Sequence, residues 1–251
     1  MMHEQWAYSN RWRWIHPGAK GLLTLCALVS AFVSTNPWFL ITAAVLLAVL
    51  TVWGAGIPLG QYLRVFLPPL GFLATGGVMI ALSVQWPGGG QHFALRLDPS
   101  QLPQVAVLVG RSLACLAALL LLALTTPMTD LIFLLRRLKV PAEILDLMTV
   151  GYRSVFVFLE AVHDITTAQA ARLGYATART AMRSLGSLIA VLTVQVWQRS
   201  LALDQAALAR ANDGPLFFLE NEYADSRRSF AVAAAAGLLL LVPAAVLRVI
   251  G

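Results

Sequence analysis

The chain has 251 residues, of which 59% are hydrophobic and 12% charged, and it carries a net charge of +6. This composition excludes a disordered polymer, argues against a soluble globular domain and fits one polytopic membrane unit. The positive balance does not call for nucleic acid, because basic cytoplasmic loops are what membrane topology demands and no nucleic-acid motif accompanies them.

Residues 1–20 are polar and aromatic, with Trp6, Trp12 and Trp14 beside Arg11, Arg13 and Lys20, a mixture suited to a membrane interface. No small-residue cleavage pattern follows, so the first apolar run is expected to stay as an anchor. His16-Pro17 breaks the chain, and Pro17 suits the start of a helix. A first span is expected over about Gly21–Ser34 and a second over Trp38–Trp53. The third, about Tyr62–Val84, contains Pro68, Pro69, Gly71, Gly76 and Gly77, which predicts a kinked or closely packed helix.

Gln85–Pro103 reads as a loop. Its Gly88-Gly89-Gly90 triplet lacks the lysine–serine or lysine–threonine pair of a phosphate-binding loop. A fourth span is expected over about Gln104–Thr126, ended by Pro127. Asp130–Lys139 then reads as a short amphipathic helix, and Phe230–Ile250 as a fifth span after the polar segment Asn212–Arg228.

Between them, Pro141 to Asp213 reads as two long helices. Ile144, Leu145, Met148, Tyr152, Val155, Phe156, Leu159, Val162 and Ile165 form one stripe at spacings of three and four; Leu185, Leu188, Ile189, Leu192, Val196 and Trp197 form the other. Arg153, Arg172, Arg179, Arg183, Arg199 and Arg210 are too many guanidinium groups for a lipid-immersed pair. The two helices are expected to be cytoplasmic or interfacial, with a shared packed face. Each carries an alanine–arginine pair near its far end, Ala171-Arg172 and Ala209-Arg210. On pattern alone these arginines could equally be solvated charge or headgroup contacts.

Basic residues set the orientation. Arg11, Arg13, Lys20 and Arg64 fall on one side with every basic residue from Arg136 to Arg228, whereas the opposite side receives Arg96 and the terminal Arg248. The N-terminus and residues 127–228 are therefore expected in the cytoplasm. Arg111 lies inside the fourth span, where an intramembrane ion pair, with Asp146 or Glu160 as partner, is the expected role.

No metal site is expected, because His3, His16, His92 and His163 are scattered and Cys26 and Cys115 sit in apolar runs. Asp204, Asp213, Glu220, Glu222 and Asp225 lie on a hydrophilic connector without a nucleophile–base pair, so no catalytic residue is assigned. No cofactor is expected.

Three segments together resemble a known family. His16-Pro17-Gly18-Ala19-Lys20 is similar to its aspartate-proline-arginine-x-lysine motif, with His16 in place of the aspartate. Leu124-Thr125-Thr126-Pro127 with Leu131 to Pro141 is similar to the stretch around its first coupling helix. The two alanine–arginine pairs resemble its paired Ala-Arg-Gly signatures, with Leu173 and Ala211 in place of glycine. The family is the transmembrane T component of energy-coupling factor transporters, in its cobalt-type CbiQ branch.

The resemblance implies an all-α, polytopic membrane protein with about five transmembrane helices and long cytoplasmic coupling helices. Residues 1–126 would form a membrane domain of four spans, 127–228 the coupling-helix domain and 229–251 the last span. It implies a non-catalytic scaffold in the bacterial inner membrane, joining a dimer of ATP-binding-cassette ATPases to a small substrate-binding membrane subunit, with a small accessory membrane subunit as a further partner. Arg172 and Arg210, with Ala171 and Ala209, would be the ATPase-coupling residues. Cobalt is the cargo implied, with nickel or a vitamin left open. A self-contained secondary transporter or channel remains an alternative, though only Arg111 offers the midplane polarity it needs.

Overall fold

The computed structural model describes residues 10–85, 94–97, 101–211 and 226–250. The glycine triplet, His3, His92, Trp6 and the acidic residues from Asp213 to Asp225 lie outside these. The described chain is helical apart from one two-stranded ladder. Two compact units divide it, residues 1–131 with 221–251, and residues 132–220.

Helix α1 runs Pro17–Val33, four residues ahead of the span expected from Gly21. The early start follows from its cap: the His16 imidazole Nδ1 accepts the Gly18 amide at 3.0 Å, and Pro17 supplies the first helical φ. An aspartate would do the same with a carboxylate oxygen, so His16 keeps the capping function by other atoms. Helix α2, Pro37–Val49, is capped in the same manner by Asn36, whose Oδ1 accepts the Trp38 amide at 3.0 Å. A π-helical turn, Leu50–Gly54, extends it.

Helix α3, Leu59–Ala81, passes directly into strand β1, Leu82–Gln85, which pairs antiparallel with β2, Ala94–Leu97. The end of the expected third span is thus strand, and part of the expected loop is its partner. Helix α4 is Leu102–Thr125 and α5 is Met128–Arg137, the latter with Asp130 in its first turn and Arg136 and Arg137 in its last, as the helix dipole favours. Helices α6, Ala142–Ala171, and α7, Ala178–Ala209, are the two long helices, and α8 is Ser226–Ile250.

In the first unit α2 packs on α4, α1 on both α8 and α4, and α3 on α4. The seams are built from small residues at helical spacing. One buried cluster joins Ala19, Leu23, Ala27 and Ala31 on α1, Leu40, Ala43, Ala44 and Leu47 on α2, Ala114, Ala117, Ala118 and Leu121 on α4, and Ala233 and Leu240 on α8. Alanine allows close backbone approach, which is how membrane helices gain dispersion energy without a hydrophobic driving force. At Gly237 the approach is tight: a Cβ there would lie 2.9 Å from the Cβ and Sγ of Cys26. Among the α3 glycines, close packing falls at Gly77, beside Val109 and Val105, since a Cβ at Gly71 or Gly76 would meet nothing within 4 Å.

Two cations hold α1 and α4 antiparallel. Lys20, 3% exposed at the start of α1, donates to the Thr125 carbonyl at the end of α4 at 2.8 Å. Asn10 donates to the same carbonyl at 3.2 Å. Reciprocally, Arg111 on α4 donates through Nε to the Ala31 carbonyl at 3.2 Å and through Nη2 to the Ser34 carbonyl at 3.3 Å, at the end of α1. Its guanidinium also lies 5.8 Å from the Phe32 ring centroid. Arg111, expected to form an ion pair, thus acts as a helix cap through these two bonds. Carbonyls left over at a helix end carry partial negative charge, and a buried cation satisfies them without a second desolvated ion.

Among the described residues, five helices are long and apolar enough to cross a membrane: Pro37–Gly54, Leu59–Ile80, Leu102–Thr125, Ala178–Ala209 and Arg227–Arg248. The number matches the sequence reading but the membership differs. Helix α1 is too short at 17 residues, and α7 qualifies although its uninterrupted run between Arg183 and Arg199 covers only roughly 22 Å, against a hydrocarbon core of about 30 Å.

Candidate functional site

The site is best built from the ends of α6 and α7. Pro141 precedes α6, fixing its start, and Glu143 lies in its first turn. Thr177 begins α7 with a capping box in which its Oγ1 accepts the Thr180 amide and Thr180 Oγ1 accepts the Thr177 amide. The two helices form an antiparallel hairpin across residues 172–177.

That bend is braced. The Gln169 side-chain amide donates to the Ser184 carbonyl at 3.0 Å, and the Tyr175 hydroxyl donates to Gln169 Oε1 at 2.6 Å. The Ser184 hydroxyl donates to the Gly174 carbonyl at 2.9 Å. A Cβ at Gly174 would lie 2.7 Å from Ser184 Oγ and 2.8 Å from the Gln169 carbonyl oxygen, so glycine is required there.

Ala171 is the last residue of α6 and Arg172 its C-cap; Ala209 is the last residue of α7 and Arg210 its C-cap. Both arginines are exposed. The next residue is left-handed in each case, with φ 57° at Leu173 and 49° at Ala211. Around Leu173 the motif is complete: its amide donates to the Ala170 carbonyl, and the Gly174 amide to the Gln169 carbonyl at 2.8 Å, the pairing of a Schellman cap. Ala211 makes the corresponding bond to Leu208 at 3.0 Å. The position after each arginine is thus the one glycine favours, which explains why an Ala-Arg-Gly signature ends in glycine and shows that the helix-end geometry survives its loss.

Sequence reading missed a third end of the same kind. Helix α5 finishes with Lys139 at φ 63°, its amide bonded to the Arg136 carbonyl and the Val140 amide to the Leu135 carbonyl. Only the proline after it, Pro141, hinted at a stop. The bracing residues Gln169, Tyr175 and Ser184 also carried no sequence signal, because Gln169 and Ser184 donate to backbone carbonyls brought near by the bend and Tyr175 to the Gln169 side chain.

The shared packed face expected between α6 and α7 is thin. Leu145 and Leu188 are the buried members of the pair, while Ile144, Val155 and Leu159, and Leu185, Ile189, Val196 and Trp197, are exposed. Much of each stripe is therefore open in this chain. Between the helices a shallow cleft of about 500 Å³ is lined by Val157, Glu160, Ala161, Asp164, Gln195, Gln198 and Arg199. It holds polar side chains where a packed helix pair would hold apolar ones.

A family model described as cobalt transport protein, CbiQ, matches residues 9–218. The chain belongs to the CbiQ family. It is 36% identical over 244 residues to the cobalt transport protein CbiQ of Rhodobacter capsulatus, covering 96% of this chain and 94% of the relative. The CbiQ of Salmonella typhimurium is 28% identical over 77% of this chain and 88% of its own length. A fused cobalt transport protein, CbiMQ, of Methanocorpusculum labreanum is 28% identical over 86% of this chain but 37% of that protein, so the CbiQ-like part there is joined to a further portion. The family match covers residues 9–131 of the first unit and nearly all of the second, including both arginine ends, and stops before α8.

Proposed function

We propose that this chain is the transmembrane coupling subunit of an energy-coupling factor importer for cobalt. One observation carries the reading: two exposed arginines each cap a long helix and are held there by a left-handed residue. One lies at the bend of the α6–α7 hairpin and the other at the far end of α7, a helix on the order of 48 Å long. Two rigid cationic ends so far apart suit two separate grooves, as a pair of ATP-binding-cassette ATPases would offer. Guanidinium is the group for such a groove, being always charged and able to bond carboxylates or helix-end carbonyls through a planar fork.

ATP hydrolysis belongs to those partners and this chain is the non-catalytic scaffold. The exposed apolar stripes of α6 and α7 meet membrane lipid or a membrane partner, namely the substrate-binding subunit, with a small accessory membrane subunit beside it; the fused CbiMQ relative supports a membrane partner. Cobalt as cargo rests on the names of the relatives. The N-terminus and residues 127–228 face the cytoplasm on the weight of their arginines and lysines. Residues 1–126 and 229–251 supply the membrane domain.

Changing Arg172 and Arg210 together to Glu should abolish co-purification of the ATPase while the subunit still inserts. Full recovery of the ATPase with that variant defeats the reading.

A further inference from the structure

The two arginine ends differ in the side chain that follows. Ala211 offers a methyl group, whereas Leu173 is a full leucine in the left-handed region, 74% exposed. An L-residue there carries a steric strain that glycine avoids. Leucine recovers none of it locally. The Schellman cap is completed by backbone bonds, the bend is braced by Gln169, Tyr175 and Ser184, and Leu173 contributes only its amide and carbonyl to that network. Glycine already occupies the next position, so the bend has a residue suited to strain one step away. A strained, uncovered leucine beside an exposed arginine is an outlier of the kind that marks a functional site.

Resting on the coupling reading above, we propose that Leu173 is a contact residue for the ATPase, its side chain burying against an apolar wall of the groove that receives Arg172. The bend would then be a mixed anchor, cationic and apolar, while the end at Arg210 engages by charge with little apolar area. The chemistry implied for the partner is a groove with carboxylate or carbonyl oxygens at its floor and aliphatic or aromatic side chains along one edge. The bracing suits this, because a bend fixed before binding loses less entropy when it docks.

The test uses the full-length subunit in detergent with its cognate ATPase pair, measuring equilibrium affinity and, separately, thermal stability of the subunit alone. Leu173→Gly and Leu173→Asn should each weaken binding about tenfold while leaving the melting temperature unchanged or higher, since both substitutes tolerate the left-handed region. Leu173→Met should bind as the parent does, and Ala211→Gly should leave affinity within twofold. If Leu173→Gly and Leu173→Asn bind as tightly as the parent while Arg172→Glu abolishes binding, the contact at Leu173 is wrong and the coupling reading stands. If Arg172→Glu also binds normally, the coupling reading itself fails. Equal weakening by Ala211→Gly and Leu173→Gly, with Leu173→Asn unaffected, would assign the effect to backbone freedom and overturn the proposal.

Discussion

The two units use the same ingredients in opposite ways. In the first, two helical cations turn inward: Lys20 and Arg111 each close the carbonyl end of the other's helix. In the second, Arg172 and Arg210 sit on the ends of their own helices and are exposed among the described residues. The same split holds for left-handed backbone. Among the described residues, the first unit's instance is Gly56, at φ 76°, where glycine is suited to the conformation; the second unit's are Lys139, Leu173 and Ala211. A body that must hold its shape in lipid satisfies its polar groups internally. A hairpin with open apolar stripes and uncovered charge is shaped for something outside itself.

The sharpest break of this contrast is the double charge reversal at Arg172 and Arg210. It should eliminate ATPase recovery in a pull-down while the subunit stays folded, its melting temperature falling only by the small cost of two carboxylates at exposed helix C-termini. Next in size, Lys20→Met should destabilise the first unit by about 2–3 kcal/mol, because it removes a charged donor from a buried helix end and leaves the Thr125 carbonyl to Asn10 alone. Thermal or denaturant unfolding in detergent reads that loss, and an unchanged midpoint would mean the reciprocal capping of α1 and α4 is unimportant. Gly237→Ala should cost about 1–2 kcal/mol in the same assay, because the new methyl meets Cys26 at 2.9 Å across the α1–α8 seam. Smallest, and opposite in sign, Ala211→Gly should stabilise the second unit by up to about 1 kcal/mol, read as slower local hydrogen exchange at the end of α7. If it destabilises instead, the left-handed residue at 211 is not under strain.

The long helices are legible from periodicity because α6 and α7 are uninterrupted by proline and carry strong start signals at Pro141 and Thr177. Pro17 marks the helix start as its sequence signal predicts, whereas the expected third span overruns α3 because the apolar residues Leu82 and Val84 suit a strand as well as a helix. Arg111 was assigned a carboxylate partner because sequence alone offers side chains as partners and hides backbone carbonyls, which here lie about eighty positions away at the end of another helix.

Composition and hydrophobic runs were enough to establish an all-α membrane protein with a cation-rich pair of long helices, since bilayer thickness and the positions of basic residues constrain those features locally. Which cations are spent within the fold and which are left on its surface was decided only by the tertiary structure. That distinction depends on where distant helix ends meet, and a leucine or alanine in left-handed backbone is visible only once the chain has turned.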